Sequence, residues 1–114
     1  MPELILPWPQ KELTPNFKRS HHWSKYRKHT KAYRDLCGWI AKTIKPDGHS
    51  ITVTFYPPDK RKRDHDGMIG AFKAGLDGLA DAWDIDDNLF RVSYEFKEPV
   101  KGGKIVITTK TNGL

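Results

Sequence analysis

The sequence predicts one α+β domain over residues 1–114, in which two helices pack against a mostly antiparallel or mixed sheet. Three observations support this prediction. A chain of 114 residues has about the size of one domain. Strand-like and helix-like patterns follow one another in the order β-α-β-α-β-β. No internal repeat and no long linker interrupts that order.

The first half of the chain predicts a short strand and an amphipathic helix. Residues 4–7 are apolar and end in a proline, which favours a strand that stops there. From Tyr33 to Ile44, apolar residues recur at helical spacing, which predicts a helix with one buried face. Residues 46–48, Pro-Asp-Gly, are typical of a helix end.

The second half predicts a strand, a helix and two further strands. Residues 51–56 alternate and are rich in β-branched and aromatic side chains. Residues 67–83 repeat apolar positions at helical spacing. Residues 91–97 and 104–110 both alternate, and the Lys-Gly-Gly of 101–103 between them predicts a hairpin turn. We therefore expect the last two strands to pair with each other.

The composition indicates a polyanionic partner in a reducing compartment. Lys and Arg number 20 against 14 Asp and Glu, which gives a net charge of +6. The single cysteine, Cys37, excludes an internal disulfide framework and lies among apolar helix positions, so we expect it in the core. No apolar run approaches the ~20 residues of a membrane span, and the N-terminus lacks a signal-peptide pattern. These features predict a cytoplasmic protein with no membrane association.

Two acidic clusters in this basic chain carry the functional information. Asp64 and Asp66 follow four consecutive basic residues, Lys60, Arg61, Lys62 and Arg63. A second acidic cluster lies at 84–87. Carboxylate oxygens held close together suit a hard divalent cation, and neighbouring bases suit the phosphates of a polyanion. The alternatives are structural: Asp66 as a helix N-cap, the second cluster as a solvated turn, and Lys73 as a solvated lysine.

The predicted second helix has a polar stripe and an unusual number of glycines. Asp66, Gly70, Lys73 and Asp77 share one side, so that Lys73 could reach back toward Asp66. Each of the four helix glycines costs up to about 1 kcal/mol relative to alanine. We expect a tertiary reason for them, namely the close approach of another backbone, a partner subunit or nucleic acid. They are Gly67, Gly70, Gly75 and Gly78.

These residues resemble the RusA-type Holliday junction resolvases. The resemblance rests on residues 57–66, Lys73, the Leu-Asp-Gly-Leu of 76–79 and Asp86-Asp87. It extends to the Leu-Pro-Trp-Pro of 6–9, Tyr33-Arg34 and the turn at 101–103, and spans about residues 4–107. It implies a homodimeric endonuclease, common in phages and prophages, that resolves four-way DNA junctions by paired symmetric nicks in recombination and repair. Mg²⁺, or Mn²⁺ in its place, would be its cofactor, and no nucleotide cofactor is implied.

The resemblance also implies the site. Asp64, Asp66 and Asp87 would hold the metal and act in catalysis, and Lys73 would assist at the phosphate. The chain departs from the family pattern where Gly67 replaces an asparagine, and where Gly70 occupies the position of the family lysine. DNA phosphates would be held by Lys60, Arg61, Lys62, Arg63, Arg19, Lys25, Arg27, Lys28 and Arg34.

Three other functions remain open from the sequence. The chain could bind junction DNA with weak or no catalysis, or it could be a metal nuclease that acts on other branched DNA. A D-x-D sugar-nucleotide transferase would also use paired aspartates on a metal diphosphate, but the chain is short for that class and its basic segments have no role there.

Overall fold

The computed structural model describes residues 3–14, 23–46 and 48–110. The predicted order of elements is confirmed, as is the packing of two helices on a four-stranded mixed sheet. Nowhere in these residues is a helix both long and apolar enough to cross a membrane. The elements are β1 (Glu3–Pro7), α1 (Trp23–Ala41), β2 (Ser50–Tyr56), α2 (His65–Trp83), β3 (Arg91–Phe96) and β4 (Lys104–Lys110), with short 3-10 turns at Lys11–Leu13 and Asp87–Leu89.

The sheet has the order β1-β4-β2-β3, so the predicted hairpin between the last two strands is wrong. β3 pairs in parallel with β2, while β4 pairs antiparallel with both β1 and β2. The helix α2 provides the crossover that parallel pairing requires. The chain then passes over the end of β2, where Val100 N donates to Pro57 O at 2.8 Å. Gly102 and Gly103, with φ of 81° and 68°, make the turn into β4.

The helix α1 begins at Trp23, ten residues before the apolar periodicity that predicted it. Its first three turns bury little, and Lys25, Arg27 and Lys28 are exposed there. An apolar pattern cannot mark turns that contact solvent on most sides. At the other end, tighter i→i+3 bonds such as Ile44 N to Ala41 O, 3.2 Å, continue the chain, and Ile44 still packs on the core.

The core lies between the helices and the sheet and contains Cys37, as predicted. The Cys37 side chain is fully buried, and burial raises the pKa of its thiol to about 12. Phe55 of β2 and Phe72 of α2 meet edge to face at 6.2 Å between ring centroids. The Tyr33 hydroxyl donates to Pro7 O at 2.7 Å, which joins α1 to the end of β1.

The two helices cross at glycines, which confirms that another backbone explains part of the glycine content. A Cβ on Gly78 would collide with the carbonyl oxygen of Arg34 and lie 3.0 Å from Gly38 N. The contacts advance together along both helices: Tyr33 lies against Gly75, and Trp83 Nε1 donates to Ala41 O at 3.0 Å. The helices therefore run in the same direction, and their N-termini lie at the same end of the molecule.

Candidate functional site

The helix α2 begins two residues earlier than predicted, so that Asp64, and not Asp66, occupies the N-cap position. Asp64 has the extended backbone of an N-cap, but its side chain makes no capping hydrogen bond. Asp66 lies in the first helical turn, where the helix dipole favours a carboxylate. Neither carboxylate forms an ion pair with another described side chain. Both remain available to a ligand.

The residue between the two aspartates anchors the helix start. The His65 ring stacks on Phe96 at the end of β3, with ring centroids 3.7 Å apart and planes within 2°. Phe96 in turn stacks on Phe55 at 5.2 Å. The sequence did not predict this contact, because a histidine between two aspartates does not indicate which ring it will contact. It holds the backbone of Asp64 and Asp66 against the end of the sheet.

Asp64 and Asp66 line the same surface groove, which has a volume of about 680 Å³. Two of the four predicted loop bases, Arg61 and Arg63, line it with them. The segment after β1 also lines the groove, although no sequence pattern assigned it a role in the site. The other lining residues include Trp8, Pro9, Lys11, Pro58 and Met68.

Arg63 shapes the groove from within the loop. Its Nη1 donates to Asp59 Oδ1 at 2.9 Å, and also to the backbone oxygens of Asp59 and Arg61. The guanidinium carbon lies 5.7 Å from the centroid of the Trp8 ring. The hydrogen bond from Arg63 lowers the pKa of the Asp59 carboxyl. Arg63 and Asp59 thus form an arginine clamp, a side-chain pair that fixes the loop. The neighbouring residues Lys60, Arg61 and Lys62 are exposed.

The predicted DNA contacts on α1 divide into two groups. Lys25, Arg27 and Lys28 are exposed near the N-terminus of α1, which lies at the groove end of the molecule. Arg34 instead binds Asp81 of α2 with two hydrogen bonds, Nε to Oδ2 at 2.6 Å and Nη2 to Oδ1 at 2.8 Å. This pairing raises the pKa of Arg34 and lowers that of Asp81. Arg19 lies outside the described residues.

The second acidic cluster lies at the other end of α2. Asp84 ends the helix in the left-handed conformation, with φ of 51°, and Asp86 Oδ1 accepts from Asn88 N at 3.4 Å. Asp87 begins the 3-10 turn before β3; its side chain lies outside the described part of the molecule. Because α2 has 19 residues, a length of about 28 Å separates this cluster from Asp64 and Asp66. One chain does not bring the three predicted ligands together.

Among the described side chains, no group of three or more His, Cys, Asp or Glu residues is placed to hold a metal ion. Asp64 and Asp66 form a pair within the groove.

Lys73 lies on α2 outside the groove. Its Nζ donates to Asp77 Oδ1 at 3.0 Å, one turn toward the C-terminus. Along the helix axis it is about 10 Å from Asp66. Burial raises the pKa of Tyr94 in β3, and the positive charge of Lys73 partly offsets that increase. The predicted reach toward Asp66 requires a different side-chain conformation.

Comparison with known proteins identifies a relative of this chain. No family model matches the chain. It is 36% identical over 117 aligned residues to an uncharacterized protein of Xylella fastidiosa (strain Temecula1 / ATCC 700964). The alignment covers 95% of this chain and 75% of that protein. The chain therefore belongs to the same protein family as this Xylella protein.

Proposed function

We propose that this protein is a Mg²⁺-dependent endodeoxyribonuclease of the RusA type, which cuts four-way DNA junctions by paired nicks. One observation carries the proposal: Asp64 occupies an N-cap position without capping, and shares a groove with Asp66 and with basic residues. An aspartate at an N-cap ordinarily contributes about 1 kcal/mol through its cap bond. The loss of that bond is understandable if the carboxylate binds a ligand.

The residues fit a hard divalent cation. Mg²⁺ is commonly held by one or two carboxylates together with waters and substrate phosphates, and Asp64 and Asp66 supply that pair. The bound ion would supply Lewis-acid chemistry at the scissile phosphate. Lys11 and Arg61 at the groove would hold the DNA backbone beside it. The two helix N-termini, with Lys25 and Lys28, make this end of the molecule the electropositive one.

The third carboxylate would come from a second copy of the chain. Asp87 follows the C-terminus of α2, so it reaches the Asp64–Asp66 groove only if two α2 helices lie side by side and antiparallel. A two-fold axis between them would create two identical sites, one at each end of the helix pair. Paired nicks in opposite strands need two such sites, so the same arrangement accounts for both requirements.

The flank of α2 beside β3 offers a surface for this pairing. Ile69 and Leu76, which share a side of α2 with Lys73 by helical spacing, are only partly buried. β3 is the edge strand of the sheet, and its inward residues Tyr94 and Phe96 are also partly buried. Leu89, just before β3, is 51% exposed. A second copy over this flank would cover apolar surface and an open strand edge together.

Cleavage of a synthetic four-way junction in Mg²⁺ tests the proposal. The wild type should release symmetric nicked products. Asp66→Asn should cut about a thousandfold more slowly, because a metal ligand is lost, yet bind the junction normally in EDTA. Asp35→Asn makes the same charge change on the exposed face of α1 and should cut like the wild type.

The other outcomes separate the rival functions. If Asp66→Asn cuts as fast as the wild type, the assignment of the site is wrong. If only linear duplex or another branched DNA is cut, the protein is a metal nuclease of different substrate class. If the wild type binds the junction but cuts nothing with Mg²⁺ or Mn²⁺, it is a junction-binding protein without catalysis.

A further inference from the structure

We propose that the groove beside Asp64 and Asp66 is a nucleotide subsite, in which a base next to the cleaved bond leaves its stack and rests against Trp8. The proposal deepens the proposed nuclease function and rests on it for the identity of the strand. Base recognition at this place is a property separate from metal binding, and it can be measured separately.

The lining of the groove combines the two chemistries that single-stranded nucleic acid requires. Trp8, Pro9 and Met68 provide an aromatic and apolar surface. Lys11 and Arg61 are exposed basic residues beside it. Proteins that hold unpaired strands stack bases on aromatic rings while cationic side chains follow the phosphates. The volume of about 680 Å³ lies within the range of sites for small organic ligands. A nucleotide therefore fits in size and in character.

The aromatic wall is held in place before any ligand arrives. The Trp8 ring meets Phe55 edge to face, with centroids 6.1 Å apart and planes at 80°. Arg63 lies over the ring and is itself bonded to Asp59. The residue before Trp8, Pro7, accepts the hydrogen bond of Tyr33. Trp8 is nevertheless only partly buried, so part of its ring remains open to the groove. A fixed, accessible ring binds a base with little ordering cost.

The position of Trp8 relative to the carboxylates determines which base it would meet. Because Lys11 and Arg61 line the same groove as Asp64 and Asp66, a phosphate held by these two basic side chains brings its attached sugar and base into the groove. A base stacked within a duplex cannot enter, whereas unstacking costs least where pairing is already interrupted. Phosphate contacts alone do not discriminate between DNA structures. The subsite therefore gives the protein a physical means of preferring a branch point to continuous duplex.

Binding of a mononucleotide by the full chain in EDTA tests the inference without any cleavage. The probes are thymidine 5′-monophosphate and 2-deoxyribose 5-phosphate, which lacks the base, and the readout is the set of backbone amide and indole N–H resonances in NMR spectra, so that a reporter remains when Trp8 is replaced. The wild type should bind the nucleotide about tenfold more tightly than the sugar phosphate, and Trp8→Ala should lose that difference. Trp39→Ala, which removes an indole that is 76% exposed on α1, should keep it.

Trp8→Phe keeps an aromatic ring against Phe55 and should retain most of the preference for the nucleotide, whereas a chain unfolded by Trp8→Ala would lose the dispersed resonances of every indole. Equal binding of both probes by folded wild type overturns the subsite, as does loss of the preference in Trp39→Ala alone. A clear preference in a chain that cuts no junction would support the subsite and contradict the nuclease. Cleavage of the junction by a chain that binds both probes equally would support the nuclease and contradict the subsite.

Discussion

The two ends of α2 carry acidic clusters that look alike in the sequence and differ in structure. At the N-terminal end, Asp64 and Asp66 line a groove with basic residues and are bonded to none of the described ones. At the C-terminal end, Asp84 and Asp86 shape the turn into β3. The difference shows that similar acidic spacing in the sequence can lead to different local structures. The Asp86 carboxylate accepts a backbone hydrogen bond from Asn88, whereas the Asp64 side chain makes no capping hydrogen bond.

The largest expected effect is the recovery of nicking activity when two inactive variants, one altered at each end of α2, are mixed. Asp66→Asn and Asp87→Asn should each lack activity. If the two clusters meet between chains, a mixed dimer contains one site with both residues intact, and random mixing should restore about a quarter of the wild-type sites. Single-strand nicking of a labelled junction, after the two variants are unfolded and refolded together, measures the recovery.

A matched mixture tells whether the recovery comes from the site. Asp64→Asn and Asp66→Asn both damage the same end of α2, so their mixed dimer should regain nothing. If the Asp66→Asn and Asp87→Asn mixture also stays inactive although both variants refold and associate, Asp87 is not supplied by the partner. Recovery in both mixtures would place the essential carboxylates elsewhere.

The two ends of α2 also differ in how tightly the helix is packed. Gly78→Ala should destabilise the fold by about 1–3 kcal/mol, because its Cβ collides with the backbone of α1 near Arg34. At the groove end, a Cβ on Gly67 meets only Asp64 Cβ, at 3.7 Å. Gly67→Ala should therefore be neutral or stabilising by up to about 1 kcal/mol. Urea unfolding of both variants measures this, and equal effects would contradict the close helix crossing.

The smallest effect concerns the arginine clamps at the two ends, Arg34–Asp81 and Arg63–Asp59. Asp81→Asn should cost at most about 1 kcal/mol at neutral pH, because both side chains are about half exposed, at 46% and 54%. Since Arg34 lowers the pKa of Asp81 in the folded state, this stability is present above the ordinary carboxyl pKa and is lost as the pH falls through the lowered one. Urea unfolding at neutral and acid pH should show wild type and variant converging in acid.

The Arg63–Asp59 clamp at the groove end should affect DNA binding more than the stability of the fold. Asp59→Asn frees Arg63 from its place against Trp8, so junction binding in EDTA should weaken several-fold, while Asp81→Asn should leave it unchanged. If Asp81→Asn changes junction binding more than Asp59→Asn does, Arg34 contacts DNA as its sequence context suggested, and the clamp is secondary.

Local sequence predicted the elements and one half of the candidate site. The sequence shows a strand, then basic residues, two aspartates and a helical pattern. This order was enough to predict that Asp64 and Asp66 lie together at a helix start. The same kind of pattern could not choose strand partners, because alternation marks a strand without identifying its neighbour. The hairpin prediction failed for that reason, and the place of β4 depends on pairing with β1, far away in the chain.

The remaining parts of the site depend on long-range contacts. Trp8 reaches the groove through the pairing of β1 with β4 and through the Tyr33 hydrogen bond, neither of which has a local signal. Lys73 pairs with an acidic residue one turn along its own helix, whereas Arg34 has no acidic residue at that spacing and pairs across to α2. Which partner a long cation selects depends on the tertiary arrangement.

The insertion of β4 between β1 and β2 has a consequence for the order of folding. Glu3 is paired with Thr108, so this contact closes nearly the whole chain into one loop and carries its full entropic cost. β2, α2 and β3 can associate before it as a local βαβ unit. The wall of the groove formed by Trp8 is fixed only when β4 joins the sheet. Completion of the sheet and completion of the groove are therefore one event, and a partly folded chain exposes Asp64 and Asp66 before Trp8 lines the groove with them.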